Sequence, residues 1–203
     1  MYHSRLHIRP DIIHRYGSLL RWSLLLVVFG LSACATPPLT SDFDNPDWQV
    51  SGKIGIRETG SSTTSGIFQW SQQADAFAIY VYSGFGQLQF TLIGDHRYAR
   101  IERADGYIES APSAQTLLQS LTGWSFPIEN TYAWLNGQTT GNETDITYNA
   151  NQQLSGFRSG EWQIQLSRYQ PIGDRQLPAR IRLMNEALTV TIIVKEYVDA
   201  PKL

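Results

Sequence analysis

From Trp48 onward, apolar and polar residues alternate along most of the chain. In Trp48–Glu58, Val50, Ile54 and Ile56 fall on one face and Gln49, Ser51, Lys53 and Arg57 on the other, the period of a half-buried antiparallel strand. A Gly/Ser/Thr loop follows, and Gly66, Phe68 and Trp70 then line one face of a second strand. Residues 77–93 hold two further period-two runs around Ser83-Gly84-Phe85-Gly86, which predicts a β-hairpin. Turns at Gly94-Asp95 and Asp105-Gly106 bound weaker strands at 98–103 and 107–110.

The period then changes. Ala114, Leu117, Leu118 and Leu121 recur at helical spacing and end at Gly123, where a helix C-cap belongs. Ile128, Tyr132 and Leu135 repeat that spacing after Pro127 and end at Gly137. Strands resume at 145–149, 154–159, 162–166 and 180–184, and finish with Leu188, Val190, Ile192 and Val194 on one face. The expected fold is mainly β with a few short helices. About eleven strands in one antiparallel sheet must curl, and a curled sheet with helices on its inner side is an unclosed β-barrel with a helical lid. Its apolar lumen would be lined from Phe68, Trp70, Phe77, Tyr80, Phe90, Trp134 and Trp162, with Leu117 and Leu121 facing it from the first helix.

The tip of the central hairpin is unusual. Turn tips are mostly polar because they face water, yet Phe85 stands here between Gly84 and Gly86. Either the ring folds back onto the core or it points outward as an apolar probe, and the alternation pattern leaves both open.

The first 33 residues do not belong to this fold. Arg5, Arg9, Arg15 and Arg21 precede the short apolar run Trp22–Leu31, which is below the ~20 residues a bilayer-spanning helix needs and so reads as a signal peptide. It ends in Leu31-Ser32-Ala33-Cys34, which resembles a bacterial lipobox that leaves Cys34 lipidated. Ala35 in place of aspartate at the next position favours outer-membrane sorting. Residues 34–47, with Pro37, Pro38 and Pro46, form a tether that is too polar to bury a core and reaches ~45 Å when extended. A single domain is expected over 48–203.

Charge and chemistry narrow the function. Removing four basic and one acidic residue with 1–33 from totals of 16 and 18 leaves 12 and 17, a net charge of −5, which argues against nucleic-acid binding. Cys34 is the only cysteine, so the chain holds no internal disulfide. His96 is the only histidine beyond the signal segment, which argues against a multi-histidine metal site. There is no phosphate-binding glycine loop, and no cofactor is expected. The pattern is that of a binding protein, not an enzyme, working as a monomer.

Five stretches together carry a family resemblance: Leu31–Cys34, Trp48–Arg57, Phe68-Gln69-Trp70 with the apolar hairpin, Leu121–Ile128 with Trp134–Gly137, and Leu177–Leu183. The mature chain resembles the LolB family of outer-membrane lipoprotein receptors nearly end to end. The resemblance implies an unclosed barrel of the LolA/LolB type. It also implies acyl chains of lipoproteins received from the periplasmic carrier LolA, and their insertion into outer-membrane lipid without a nucleotide. The family's insertion loop carries an apolar tip residue, which falls on Phe85. The family pattern there is Pro-Leu-Gly; Gly84-Phe85-Gly86 keeps the apolar bulk and implies a more flexible turn. An assembly lipoprotein without acyl cargo is the alternative, and a hydrolase is a more distant one. A lipid-sized lumen supports the receptor, and convergent titratable groups in a cleft would support the hydrolase.

The lipobox generates the first prediction. Cys34→Ala is expected to move the protein from the membrane to the soluble fraction on ultracentrifugation. Persistence in the membrane pellet would contradict the anchor.

Overall fold

The computed structural model describes Phe43 and residues 46–199. The signal segment 1–33, Cys34 and nearly all of the 34–47 tether lie outside the described residues. The strands are β1 Trp48–Glu58, β2 Thr64–Gln73, β3 Ala76–Ser83, β4 Leu88–Gly94, β5 Ala99–Arg103 and β6 Ile108–Ala111. Helices α1 Ala114–Thr122 and α2 Ile128–Leu135 follow, and then β7 Thr144–Tyr148, β8 Leu154–Ser159, β9 Trp162–Ile172, β10 Arg175–Met184 and β11 Leu188–Asp199. All eleven strands join one sheet in the order β6-β5-β4-β3-β2-β1-β11-β10-β9-β8-β7. Its neighbouring strands pair antiparallel throughout.

Local pairing builds two meanders, β1–β6 and β7–β11, and the β1–β11 seam joins them. That seam runs from Trp48 opposite Asp199 to Glu58 opposite Leu188, with a bulge at Ser51/Gly52. Gly52 is required there, because a Cβ would lie 2.0 Å from the Ile193 carbonyl oxygen and 3.1 Å from the Phe68 ring. The sheet's free edges are β6 and β7, and the helical segment is the chain that connects one to the other. The unclosed antiparallel barrel expected from the sequence is therefore the fold, with both helices against its apolar face.

The helices end where their caps dictate. Ser113 Oγ accepts the Thr116 N–H at the start of α1 (3.1 Å), and Gly123 closes it in the left-handed region at φ 77°. At the end of α2, Asn136 Oδ1 accepts hydrogen bonds from Arg175 Nη1 (3.1 Å) and the Tyr197 hydroxyl (2.6 Å), tying the helix to β10 and β11. Trp134 is fully buried, in contact with Phe157 at 5.4 Å between ring centres. Its indole N–H donates to Glu143 Oε1 at 2.9 Å.

Strand β10 begins five residues earlier than the 180–184 run suggested, and it contains Pro178. Proline has no N–H to give a ladder and is confined to edges. Over Arg175–Pro178 the strand pairs with β9 alone, and β11 takes up pairing only from Arg180, so this stretch is a local edge.

Glu143 is buried beside α2 and accepts from the Thr140 N–H (2.9 and 3.0 Å), the Thr140 hydroxyl (2.8 Å), the Gly141 N–H (2.9 Å) and the Trp134 indole. Burial alone raises its pKa. The donors from Thr140 and Trp134 together outweigh burial and hold it below the ordinary 4.5. A carboxylate depressed on folding stabilises above its unfolded pKa, and that contribution is lost as pH falls through the folded value. Glu143→Gln places an amide NH₂ among donors and is expected to cost about 1–3 kcal/mol at pH 7 in urea denaturation. The loss should shrink as pH drops below 4.5. A loss independent of pH would show that the carboxylate charge is not what Trp134 and Thr140 bind.

Candidate binding cavity and an exposed hairpin tip

The concave face is not filled. A cavity of about 210 Å³ lies between the sheet and the helical segment. Its sheet wall comes from alternate residues of five strands: Ile54 and Ile56 of β1, Phe68 and Trp70 of β2, Ile79 and Val81 of β3, Phe90 and Leu92 of β4, and Leu188, Val190 and Ile192 of β11. The helical side contributes Leu118, Thr122, Trp124, Phe126, Ile128, Thr131 and Leu135. Its two hydroxyls are satisfied within the helices, Thr122 on the Leu118 carbonyl (2.6 Å) and Thr131 on the Pro127 carbonyl (2.9 Å). The Trp70 indole donates to Gln72 at 3.1 Å. The wall therefore offers a guest an apolar surface and no charged group.

The two sides are held differently. Backbone ladders, bulged at Ser51/Gly52 and Val81/Tyr82, hold the sheet side. The helical side is held to the sheet by its apolar stripe and by side-chain contacts: Ser120 to Glu109 (3.2 Å), the Trp162 indole to the Ser125 carbonyl (3.0 Å), and Asn136 to Arg175 (3.1 Å) and Tyr197 (2.6 Å).

Of the residues expected to line the lumen, the structure brings Phe68, Trp70 and Phe90 to the cavity wall and places six elsewhere. Leu117 and Trp134 are fully buried beneath the helices, and Leu121 packs half-buried on the core. Trp162 supports the wall from behind, its ring edge-on to Phe126 at 6.0 Å. Tyr80 alternates with Ile79 and Val81 and so takes the opposite face of β3. Phe77 packs against Trp70 at 6.3 Å and lines an adjoining, partly polar hollow that shares Trp70 and Ile128 with the cavity. Most of the wall is aliphatic. Its signal lies in the same strand faces, in Ile54 and Ile56 and in the Leu188–Ile192 run, whereas the expected lining is mainly aromatic.

The polar hollow is lined by Asp75, Asp95, His96 and Glu129 among others. His96 Nδ1 contacts Asp75 there.

Phe85 points outward and is 98% exposed. Its turn is well defined despite two glycines. The Gly86 N–H donates to the Ser83 carbonyl (3.0 Å), and Ser83 Oγ accepts from the N–H groups of Phe85 (3.3 Å) and Gln87 (3.2 Å). Gly86 takes the left-handed φ of 82° that this loop requires. The Ser83 hydroxyl thus replaces rigidity that a proline would supply. The strands that present Phe85 are β3 and β4, whose inner residues form part of the cavity wall.

The chain is an open antiparallel barrel whose helical segment leaves an apolar cavity on its concave face. The chain matches the family model described as outer membrane lipoprotein LolB over residues 46–197, and it belongs to that family. The outer-membrane lipoprotein LolB of Pseudomonas fluorescens is 32% identical over 152 residues, covering 74% of this chain and 73% of the relative. That of Marinobacter nauticus is 29% identical over 161 residues, covering 77% and 76%. Among solved structures, a LolA superfamily protein from Nitrosomonas europaea superposes with a TM-score of 0.51 at 11% identity, covering 79% of this chain and 89% of that one, a likeness of fold.

Filling the cavity should block it. Val81→Trp adds bulk to the wall and is expected to weaken binding of a fluorescent long-chain fatty acid at least tenfold, ~1.4 kcal/mol. The urea midpoint checks that the fold is kept. Unchanged affinity would place the guest elsewhere.

Proposed function

We propose that this protein is an outer-membrane-anchored lipoprotein receptor. It takes acylated lipoproteins from a LolA-type periplasmic carrier, holds their acyl chains in the cavity and inserts them into outer-membrane lipid. In this reading, Cys34 is the anchor, residues 34–47 are the tether, and residues 48–203 are the binding domain. One observation carries the proposal: a cavity wall without a charged group shares two strands with a hairpin whose tip is a fully exposed phenylalanine. An assembly lipoprotein without acyl cargo needs neither feature.

Energetics set the route. Each acyl CH₂ exposed to water costs ~0.8 kcal/mol, so releasing a multiply acylated lipoprotein into the periplasm costs tens of kcal/mol. Cargo must therefore pass between apolar cavities in direct contact, and without a nucleotide the direction follows rising affinity. Phe85 gains roughly 1.5–3 kcal/mol on entering lipid, enough for a transient contact and too little to anchor a domain. Because β3 and β4 link tip and wall, that contact brings the loaded cavity to the bilayer.

Phe85→Glu is expected to accept cargo from the carrier at the normal rate and to deliver it to liposomes at least tenfold more slowly. Sedimentation of liposomes followed by detection of cargo measures both steps. Normal delivery by the variant would remove Phe85 from the mechanism.

A further inference from the structure

The β5–β6 hairpin turns at the same end of the sheet as Phe85. Phe90 of β4 pairs with Arg103 of β5, and the Ala104 N–H donates to the Gln89 carbonyl at 3.1 Å, so the two turns are direct neighbours. Nine large hydrophobic residues are exposed among the described residues, and four of them sit on these two turns: Phe85, Leu88 (38%), Tyr107 (44%) and Ile108 (51%). They are spread over both faces of the sheet's end. The bulge at Val81/Tyr82 pairs Leu88 with Tyr82, and Ile108 pairs with Glu102, which places both away from the cavity. Arg103 shares the cavity face with Phe90, and its guanidinium lies over the Tyr107 ring at 5.7 Å.

We propose that this second hairpin is part of the membrane contact, with Tyr107 and Ile108 seated at the headgroup level beside a more deeply inserted Phe85. This rests on the reading of Phe85 as a membrane probe and extends it from a point to a surface. Aromatic, branched aliphatic and arginine side chains together suit the bilayer interface, where tyrosine takes a wet and an apolar side at once. The surface is not a polybasic one. Arg103 is paired with Asp105 at 2.9 Å and Arg100 with Glu102 at 3.0 Å, so the hairpin brings no net positive charge. Its partner is therefore the apolar-to-polar boundary of a bilayer irrespective of lipid charge. Two neighbouring turns also fix an orientation that a single tip leaves free to rotate, and so set how the cavity faces the lipid.

The test uses the full chain in proteoliposomes, with single cysteine substitutions carrying an environment-sensitive fluorophore. Phe85→Cys and Ile108→Cys probe the two turns, and Tyr148→Cys at the opposite end of the sheet is the control; the unsubstituted chain gives the background from Cys34. Lipids with a nitroxide at the headgroup or deep in the acyl region report depth. The expected result is quenching at 108 by the headgroup nitroxide at least twofold above the control, with 85 quenched most by the acyl nitroxide. Doubling the anionic lipid fraction should change the signal at 108 less than twofold. Quenching at 85 with 108 equal to the control overturns the second hairpin and leaves the Phe85 reading standing. No quenching at 85 or 108 overturns both. A signal at 108 that rises steeply with anionic lipid overturns the apolar basis of the contact.

Discussion

Everything in this domain follows from an apolar sheet face that its own chain is too short to cover. Strands β1 and β11, of 11 and 12 residues, extend to about 36–40 Å, whereas helices of 9 and 8 residues are only about 12–14 Å long. The apolar face curls to reduce its exposure, and the helices cover what they reach. What stays uncovered is the cavity. A closed barrel would bury the same residues against one another, and a longer helical segment would fill the space.

The unclosed edge serves the same end. The helical segment spans the chain from edge strand β6 to edge strand β7, so the element that covers the cavity is also the element that leaves the barrel open. Backbone ladders hold one wall and side-chain contacts hold the other. The β3–β4 hairpin joins the cavity to the exposed tip, because its inner residues are cavity wall and its turn carries Phe85. Ser83 makes that turn definite with one hydroxyl.

Much of this was legible in the residue pattern because local rules govern it. Period-two alternation located the strands, and helical spacing closed by Gly123 and Gly137 located both helices. The early part of β10 was hidden because Pro178 argues against a strand unless its pairing partner is known. The order of strands was equally hidden, since the β1–β11 seam joins the two ends of the domain and nothing in either strand names its partner. The site was half legible. Alternation places Phe68, Trp70 and Phe90 on an inner face, but an apolar helical stripe does not distinguish residues bordering a cavity, such as Leu118, from those packed beneath it, such as Leu117 and Trp134. The direction of Phe85 depends on whether the core has room for another ring, a question of packing.

The most direct measurement follows a lipoprotein whose acyl chains carry a photoreactive group near their ends. Loaded on a LolA-type carrier and mixed with this protein without ATP, it is irradiated, and the crosslinked peptides are mapped. The account predicts transfer of the cargo and crosslinks to the cavity wall on β3, β4 and β11. Cargo that stays on the carrier, or crosslinks that avoid those strands while the protein is folded, would contradict it.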